Sequence, residues 1–205
     1  MKNIFIVGPG RGGKTTLAQK INEELNYYVI HLDYLMTTLD RAYPHLDIWI
    51  DTDSAIANLA PFIGHFLAMS VCYRDFEDGM NLHKHVIKGN RFVMEGGHID
   101  FDKISSVFRT YEIGELKDNF ILIGLVQHKK TAKEFFNDLR KYDTKDEWTH
   151  DYKDGDLMEL CELIVKHSQE MYDYCVKYGF TIYDTSTDRE QVFAQIIEDI
   201  KAKLV

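Results

Sequence analysis

Residues Gly8-Pro9-Gly10-Arg11-Gly12-Gly13-Lys14-Thr15 match the pattern G-x-x-x-x-G-K-[ST] at every fixed position. The apolar run Ile4–Val7 comes directly before this octapeptide and ends at its first glycine. A short continuous apolar run of this kind is typical of a strand buried on both faces of a parallel sheet. From Lys14 to Leu25 the apolar residues recur at helical spacing. The sequence therefore predicts a strand, a glycine-rich loop and a helix in direct succession.

The chemistry of this loop is suited to holding a phosphate chain. Four glycines allow the backbone to wrap closely round an anion and to turn several N–H groups towards it. The helix that follows directs the positive end of its dipole at the same anion. Lys14 supplies a cation to the β- and γ-phosphates, and the Thr15 hydroxyl is placed to bind Mg²⁺. Arg11 either lies over the phosphates or points to water.

We therefore expect ATP, or a close relative, and Mg²⁺ as cofactors. The predicted nucleotide contacts are Gly8, Gly10, Arg11, Gly12, Gly13, Lys14, Thr15 and Thr16.

The rest of the chain alternates short apolar strands with helices. The predicted strands after the first are Tyr28–Ile30, Phe92–Met94, Phe120–Val126 and Phe180–Tyr183. Alternation of this kind predicts an α/β fold, with a parallel sheet covered by helices on both faces. Helices are expected over residues 53–73, from there to about Lys88, and over 131–142, 157–178 and 187–203, the last with a Thr187–Glu190 capping box. A polar segment, residues 143–156, interrupts the pattern.

Length and composition limit the classes of protein. The chain has 205 residues and three prolines, which fits a single domain spanning 1–205. A formal net charge of −9 argues against a nucleic-acid partner, which would require clustered cations. The three cysteines form no CxxC pair, so we expect them to be reduced in a cytoplasmic protein. No apolar run is long enough to span a membrane. Whether the chain forms a homodimer is left open.

With this loop and strand count, the chain resembles the P-loop kinases of the nucleoside-monophosphate-kinase-like group. It has neither the Asn-Lys-x-Asp motif of GTPases nor the Leu-Ser-Gly-Gly signature of transporter ATPases. The resemblance implies a three-layer, doubly wound, five-stranded parallel sheet in the order 2-3-1-4-5. It also implies a small helical lid, here about residues 140–156, and donor-base contacts in Asp184–Ser186. The family's Asp-Gly-[Phe/Tyr]-Pro-Arg signature after strand three is missing.

Carried onto this chain, the resemblance gives roles to two carboxylates at strand ends. Asp33 follows the second strand, where it could accept the proton of an acceptor hydroxyl or hold a Mg²⁺-bound water. Its alternative role is to cap a helix that begins at Tyr34. Glu95 ends the third strand and is expected to support the Mg²⁺ ion as a Walker B-like residue. Its alternative is an ordinary acidic loop residue.

Three further residues complete the predicted site. Glu95-Gly96-Gly97-His98 resembles the Glu-Gly-x-His of 2-phosphoglycerate kinase-like proteins, so His98 is expected to contact the acceptor or to cap the helix that starts near Asp100. Arg41 could bind an anionic group on the acceptor. Arg140, near the predicted lid, could stabilise the charge of the transferring phosphoryl group.

These residues predict an ATP- and Mg²⁺-dependent kinase that acts on a small-molecule acceptor. The alternative is a non-kinase P-loop ATPase or a nucleotide-binding regulatory module.

Overall fold

The computed structural model describes residues 2–46, 48, 52–72 and 91–204, without the side chains of residues 52–54 and 72. Its elements in chain order are β1 (Asn3–Val7), α1 (Lys14–Leu25), β2 (Tyr28–His31), α2 (Leu32–Ala42), a 3₁₀ turn (Pro44–Leu46), α3 (Thr52–Cys72), β3 (Phe92–Gly96), α4 (Phe101–Thr110), α5 (Leu116–Asn119), β4 (Phe120–Val126), α6 (Ala132–Tyr142), α7 (Asp154–Tyr178), β5 (Thr181–Asp184) and α8 (Arg189–Leu204).

The five strands form one parallel sheet in the order β2-β3-β1-β4-β5. This confirms the predicted fold class and strand order. β1 is central and pairs with both β3 and β4, so the loop that follows it lies at the point where the strand order reverses. The carboxyl ends of the strands beside such a switch point are where ligands bind in open α/β sheets.

Alternate residues of each strand feed two separate cores. Phe5 and Val7 of β1 pack on one face with side chains of α2, α3 and α4. Ile4 and Ile6 pack on the other face with side chains of α1 and α8. β1 is therefore buried on both faces, which explains why its sequence is apolar without alternation.

The segment predicted as a lid lies between α6 and α7. Residues 143–153 form turns and irregular backbone, and the flanking helices pack together through Phe135, Leu139, Leu157, Cys161 and Ile164. α7 begins at Asp154, three residues before its predicted start. Asp154 and Asp156 lie in its first turn, where their negative charges interact favourably with the positive end of the helix dipole.

Some local predictions need adjustment. The first turn of α8 is capped by Asp188, whose carboxylate accepts from the Gln191 N–H, rather than by Thr187. The predicted helical piece up to Lys88 lies outside the described residues. Cys161 and Cys175 are free and buried, as expected. Among the described helices, none is long and apolar enough to cross a membrane.

Candidate active site

The octapeptide forms a tight turn between β1 and α1. The Gly12 N–H donates to the Pro9 carbonyl over 3.2 Å, which closes the loop on itself. Gly13 has φ +92°, and a β-carbon there would lie 2.8 Å from Cζ of Phe193. Only glycine suits that combination of left-handed backbone and close packing. The loop geometry therefore depends on glycine where the motif requires it.

Lys14 folds back over this loop instead of reaching into solvent. Its ammonium group donates to the Pro9 carbonyl over 2.9 Å. Burial lowers the pKa of Lys14, and the carboxylates of Glu95 and Asp33 act in the opposite direction. A cation that has lost part of its hydration is well placed to bind an incoming anion, because the phosphate charge offsets that loss.

Glu95 joins the phosphate loop to the neighbouring strand. It is 5% exposed. Its Oε1 atom accepts from the Thr15 hydroxyl over 3.2 Å and lies 2.7 Å from Nδ1 of His31. The register of β2 and β3 pairs His31 with Glu95, so this contact follows from the sheet itself. The buried carboxylate is thus partnered, as a charge at the end of an apolar strand must be.

The Thr15 hydroxyl and the Glu95 carboxylate are oxygen donors of the kind that Mg²⁺ prefers. Among the described residues no group of three His, Cys, Asp or Glu side chains could hold a metal ion. A site with one hydroxyl and one carboxylate fits an ion that takes its other ligands from phosphate and water, as Mg²⁺ usually does.

Asp33 and His98 lie near Lys14. Asp33 is an exposed residue in the first turn of α2, whose N-cap is His31, so Asp33 is not the cap of that helix. Desolvation lowers the pKa of His98. The positive charge of Lys14 and the neighbouring His167 lower this pKa further, whereas the Asp33 carboxylate raises it. These mutual effects place Asp33, Lys14, His98 and His167 in one neighbourhood. Asp100, not His98, caps α4, by accepting from the Lys103 N–H.

Residues that follow β4 and β5 hold the phosphate loop through hydrogen bonds. The Thr185 hydroxyl donates to the Gly12 carbonyl over 3.2 Å. The Gln127 side-chain amide donates to that same hydroxyl over 3.1 Å. Because Gln127 and Thr185 are both buried, these two hydrogen bonds fix the position of Gly12 relative to the sheet.

The three predicted arginines are placed differently from one another. Arg11, in the phosphate loop, forms ion pairs with Asp143 and Glu147 of the lid segment. Arg140 donates to the Asp154 carboxylate over 2.7 Å and to two backbone carbonyls of the lid segment. The expectation that Arg140 faces the transferring group is not met in this arrangement, because its donors anchor the lid to the start of α7.

Arg41 is exposed in the last turn of α2 and forms no ion pair with a described residue. The structure therefore brings together Lys14, Thr15, Asp33, Glu95 and His98 from the predicted set. It does not bring Arg140 to them.

Sequence reasoning missed four residues of this region, His31, Gln127, Arg189 and His167. It expected Thr185 near the donor base, whereas its hydroxyl donates to Gly12 of the phosphate loop. His31 carried a usable signal, since it lies two residues before Asp33 at the same strand end. Arg189 also did, as the first cation after the fifth strand. Gln127 acts through hydrogen bonds and His167 through its position on α7, and no sequence motif marks either role.

Comparison with solved structures agrees with this architecture. A shikimate kinase from Bacteroides thetaiotaomicron superposes with a TM-score of 0.55 and 16% identity, over 99% of this chain and 98% of its own. A protein from Chloroflexus aurantiacus J-10-fl gives 0.51 and 15%, over 99% and 96%. A deoxyadenosine kinase from M. mycoides with bound dATP gives 0.47 and 13%, over 98% and 100%.

The chain therefore has the fold of the P-loop kinases in the nucleoside-monophosphate-kinase-like group, on the strength of the two structures above 0.5. At these identities the likeness shows the fold alone. Comparison with protein-family models gives no match, and comparison with curated proteins gives none either.

Proposed function

We propose that this protein is an ATP- and Mg²⁺-dependent kinase that transfers the γ-phosphoryl group to a small-molecule acceptor. The observation that carries the proposal is the grouping of Lys14, Thr15, Glu95 and Asp33 around one phosphate loop. A carboxylate near the phosphate-loop lysine can take the proton of an acceptor hydroxyl. The fold shared with a shikimate kinase agrees with this proposal.

Each residue has a distinct task in the proposed mechanism. The backbone N–H groups of the phosphate loop, to which Pro9 contributes none, and the Lys14 ammonium position the phosphates of the donor. Thr15 and Glu95 would hold the Mg²⁺ ion, and the ion would neutralise charge that develops on the phosphate oxygens. Asp33 is exposed in the first turn of α2 and near enough to Lys14 to act on its pKa, so we assign it the task of orienting an acceptor hydroxyl and taking its proton. Arg140 has no role in this mechanism as it is placed.

His31 keeps Glu95 in place through the 2.7 Å contact between Nδ1 and Oε1. A carboxylate with one fixed oxygen has fewer rotamers to lose when it binds a metal ion. The phosphate loop is held by Thr185 and Gln127 in the same way. The site is thus already arranged before the donor binds.

The acceptor can be sought with labelled ATP and a mixture of nucleosides, nucleotides, sugars, vitamins and phosphorylated acids. The proposal predicts label on one small molecule. Lys14→Ala should reduce that transfer by about a thousandfold or more, since positioning and electrostatics supply most of the rate. Lys177→Ala is the matched control, because Lys177 lies on α7 and pairs with Asp102 at the surface. Full transfer by Lys14→Ala would refute the mechanism.

A slow ATPase or a nucleotide-binding regulatory module is the second candidate. It is favoured by one observation, that Arg140 is bound to Asp154 while the lid segment presents carboxylates to Arg11. A site without an arginine at the transferring group is weak at stabilising its charge. In the same experiment this candidate predicts label only in free phosphate, whatever acceptor is supplied.

A further inference from the structure

A cavity of about 520 Å³ lies beside the phosphate loop, between the end of α6 and the segment that joins β5 to α8. Arg11, Gln127, Tyr142, Thr185 and Arg189 are among its lining residues. It is large enough for a nucleoside, given that small-molecule sites begin at about 300 Å³. Its position beside the loop makes it the continuation of the phosphate cradle.

Arg189 is placed at the junction between this cavity and the loop. It is the first residue of α8. Its Cδ atom lies 3.5 Å from the position that a β-carbon on Gly13 would occupy. The aliphatic stem therefore packs against the loop directly before Lys14, where the chain enters α1. Arg189 therefore touches the phosphate loop and also lines the cavity.

Among the residues that the structure describes, Arg189 has no anionic partner at bonding distance. No described residue forms an ion pair or a side-chain hydrogen bond with it, whereas Arg11 is held by two lid carboxylates. Desolvation and the nearby Arg11 both lower the pKa of Arg189, with Asp138 and Glu190 acting more weakly in the opposite direction. Arg189 is thus a partly desolvated cation in the wall of this cavity, and an anionic ligand beside it would offset that cost.

From this we infer that Arg189 is a donor-binding residue, which binds the phosphate nearest the ribose of the nucleotide at the mouth of this cavity. The inference rests on the proposed function only in taking a nucleotide as the ligand. Lys14 and the start of α1 serve the terminal phosphates, and the ribose and base extend into the cavity. In this orientation the α-phosphate is the group that lies beside Arg189.

The test measures binding to the 205-residue chain without an acceptor, by calorimetry, with Mg-ADP and Mg-pyrophosphate as probes. Arg189→Met keeps the stem and removes the charge. We expect it to weaken ADP about tenfold or more, the usual worth of a charge-assisted hydrogen bond, and to change pyrophosphate by less than about threefold. Arg189→Lys should recover part of the ADP affinity. Lys201→Met, at the exposed end of α8, is the matched control and should change neither probe.

Equal ADP affinity in Arg189→Met and the native chain overturns the inference. So does an equal loss for ADP and pyrophosphate, since that would mean that Arg189 shapes the loop as a whole. A loss that Arg189→Lys does not relieve at all would indicate packing instead of charge, and would also count against it. Because no acceptor is present, these results do not depend on phosphoryl transfer. Absence of transfer in the acceptor screen would overturn the kinase proposal and leave this one standing.

Discussion

The Arg11 guanidinium donates to the Asp143 carboxylate, 132 residues further along the chain, and so ties the phosphate loop to the lid segment. Glu147 accepts from the same guanidinium, and the Asp143 carboxylate also accepts from the Thr149 hydroxyl. Asp143 is nearly buried, with 5% of its side chain exposed. The pair is therefore shielded from solvent far better than most surface ion pairs, and its loss should have measurable consequences.

We expect the double variant Asp143→Asn/Glu147→Gln to loosen the lid segment. Removing both carboxylates leaves the Arg11 charge without its partners, at a cost of about 1–3 kcal/mol in unfolding free energy. Trp148 lies next to Glu147 and is half-exposed, and the chain has only two tryptophans. In a Trp49→Phe background, acrylamide should quench Trp148 more strongly in the double variant than in the native lid.

Asp151→Asn is the matched control for this change, since Asp151 is an exposed lid carboxylate that pairs with no described residue. It should leave both the quenching and the unfolding free energy as they are. If the double variant and the control behave alike, Arg11 does not hold the lid.

The sheet could be predicted from the sequence because a strand buried on both faces is a continuous apolar run. β1 and β4 are apolar without interruption, and both lie inside the sheet with every residue except Asn3 buried. The phosphate loop was equally readable, since the positions of Gly8, Gly12 and Gly13 are tied to backbone shape. Fold class and strand order followed from these elements together with the family resemblance.

The directions of long side chains could not be predicted in the same way. Arg140 sits near the lid as expected, yet its guanidinium binds Asp154 instead of facing the loop. Which acidic residue an arginine chooses depends on how two helices pack, and no spacing in the sequence encodes that choice. The pairing of Arg11 with Asp143 escaped prediction for the same reason.

A second prediction concerns the first glycine of the loop. A β-carbon at Gly8 would lie 2.5 Å from the carbonyl oxygen of Leu125, a backbone atom of β4 that cannot rotate away. Gly8→Ala should therefore lower the unfolding free energy by about 1–3 kcal/mol, the usual cost of overpacking. Chemical denaturation measures this directly.

Gly10→Ala is the matched control for Gly8→Ala, because no heavy atom lies within 4 Å of a β-carbon at Gly10. Its stability should stay within about 0.5 kcal/mol of the native chain. Equal stabilities for the two variants would mean that β1 and β4 can separate to admit a methyl group at the start of the loop.

The last prediction is a pH effect from Cys175, whose thiol lies fully buried between β4 and α7. Burial raises the pKa of this thiol from 9.0 to about 12. Below pH 9 the folded and unfolded chains both keep the proton, so the thiol has no effect on the pH dependence. Between pH 9 and about 12 the unfolded chain releases it first, and stability falls as the pH rises. At pH 10 the loss should reach about 1.4 kcal/mol relative to pH 8, since one unit above the pKa is worth that amount.

Cys175→Ala isolates this contribution, because every other titrating group is the same in both chains. The variant loses some packing at all pH values, so the useful quantity is the difference in unfolding free energy between the native chain and Cys175→Ala. That difference should be constant from pH 6 to pH 8 and should shrink by about 1.4 kcal/mol at pH 10, measured with reductant present. A constant difference up to pH 10 would place the thiol in contact with water, and would contradict the close packing of α7 on the sheet beneath the site.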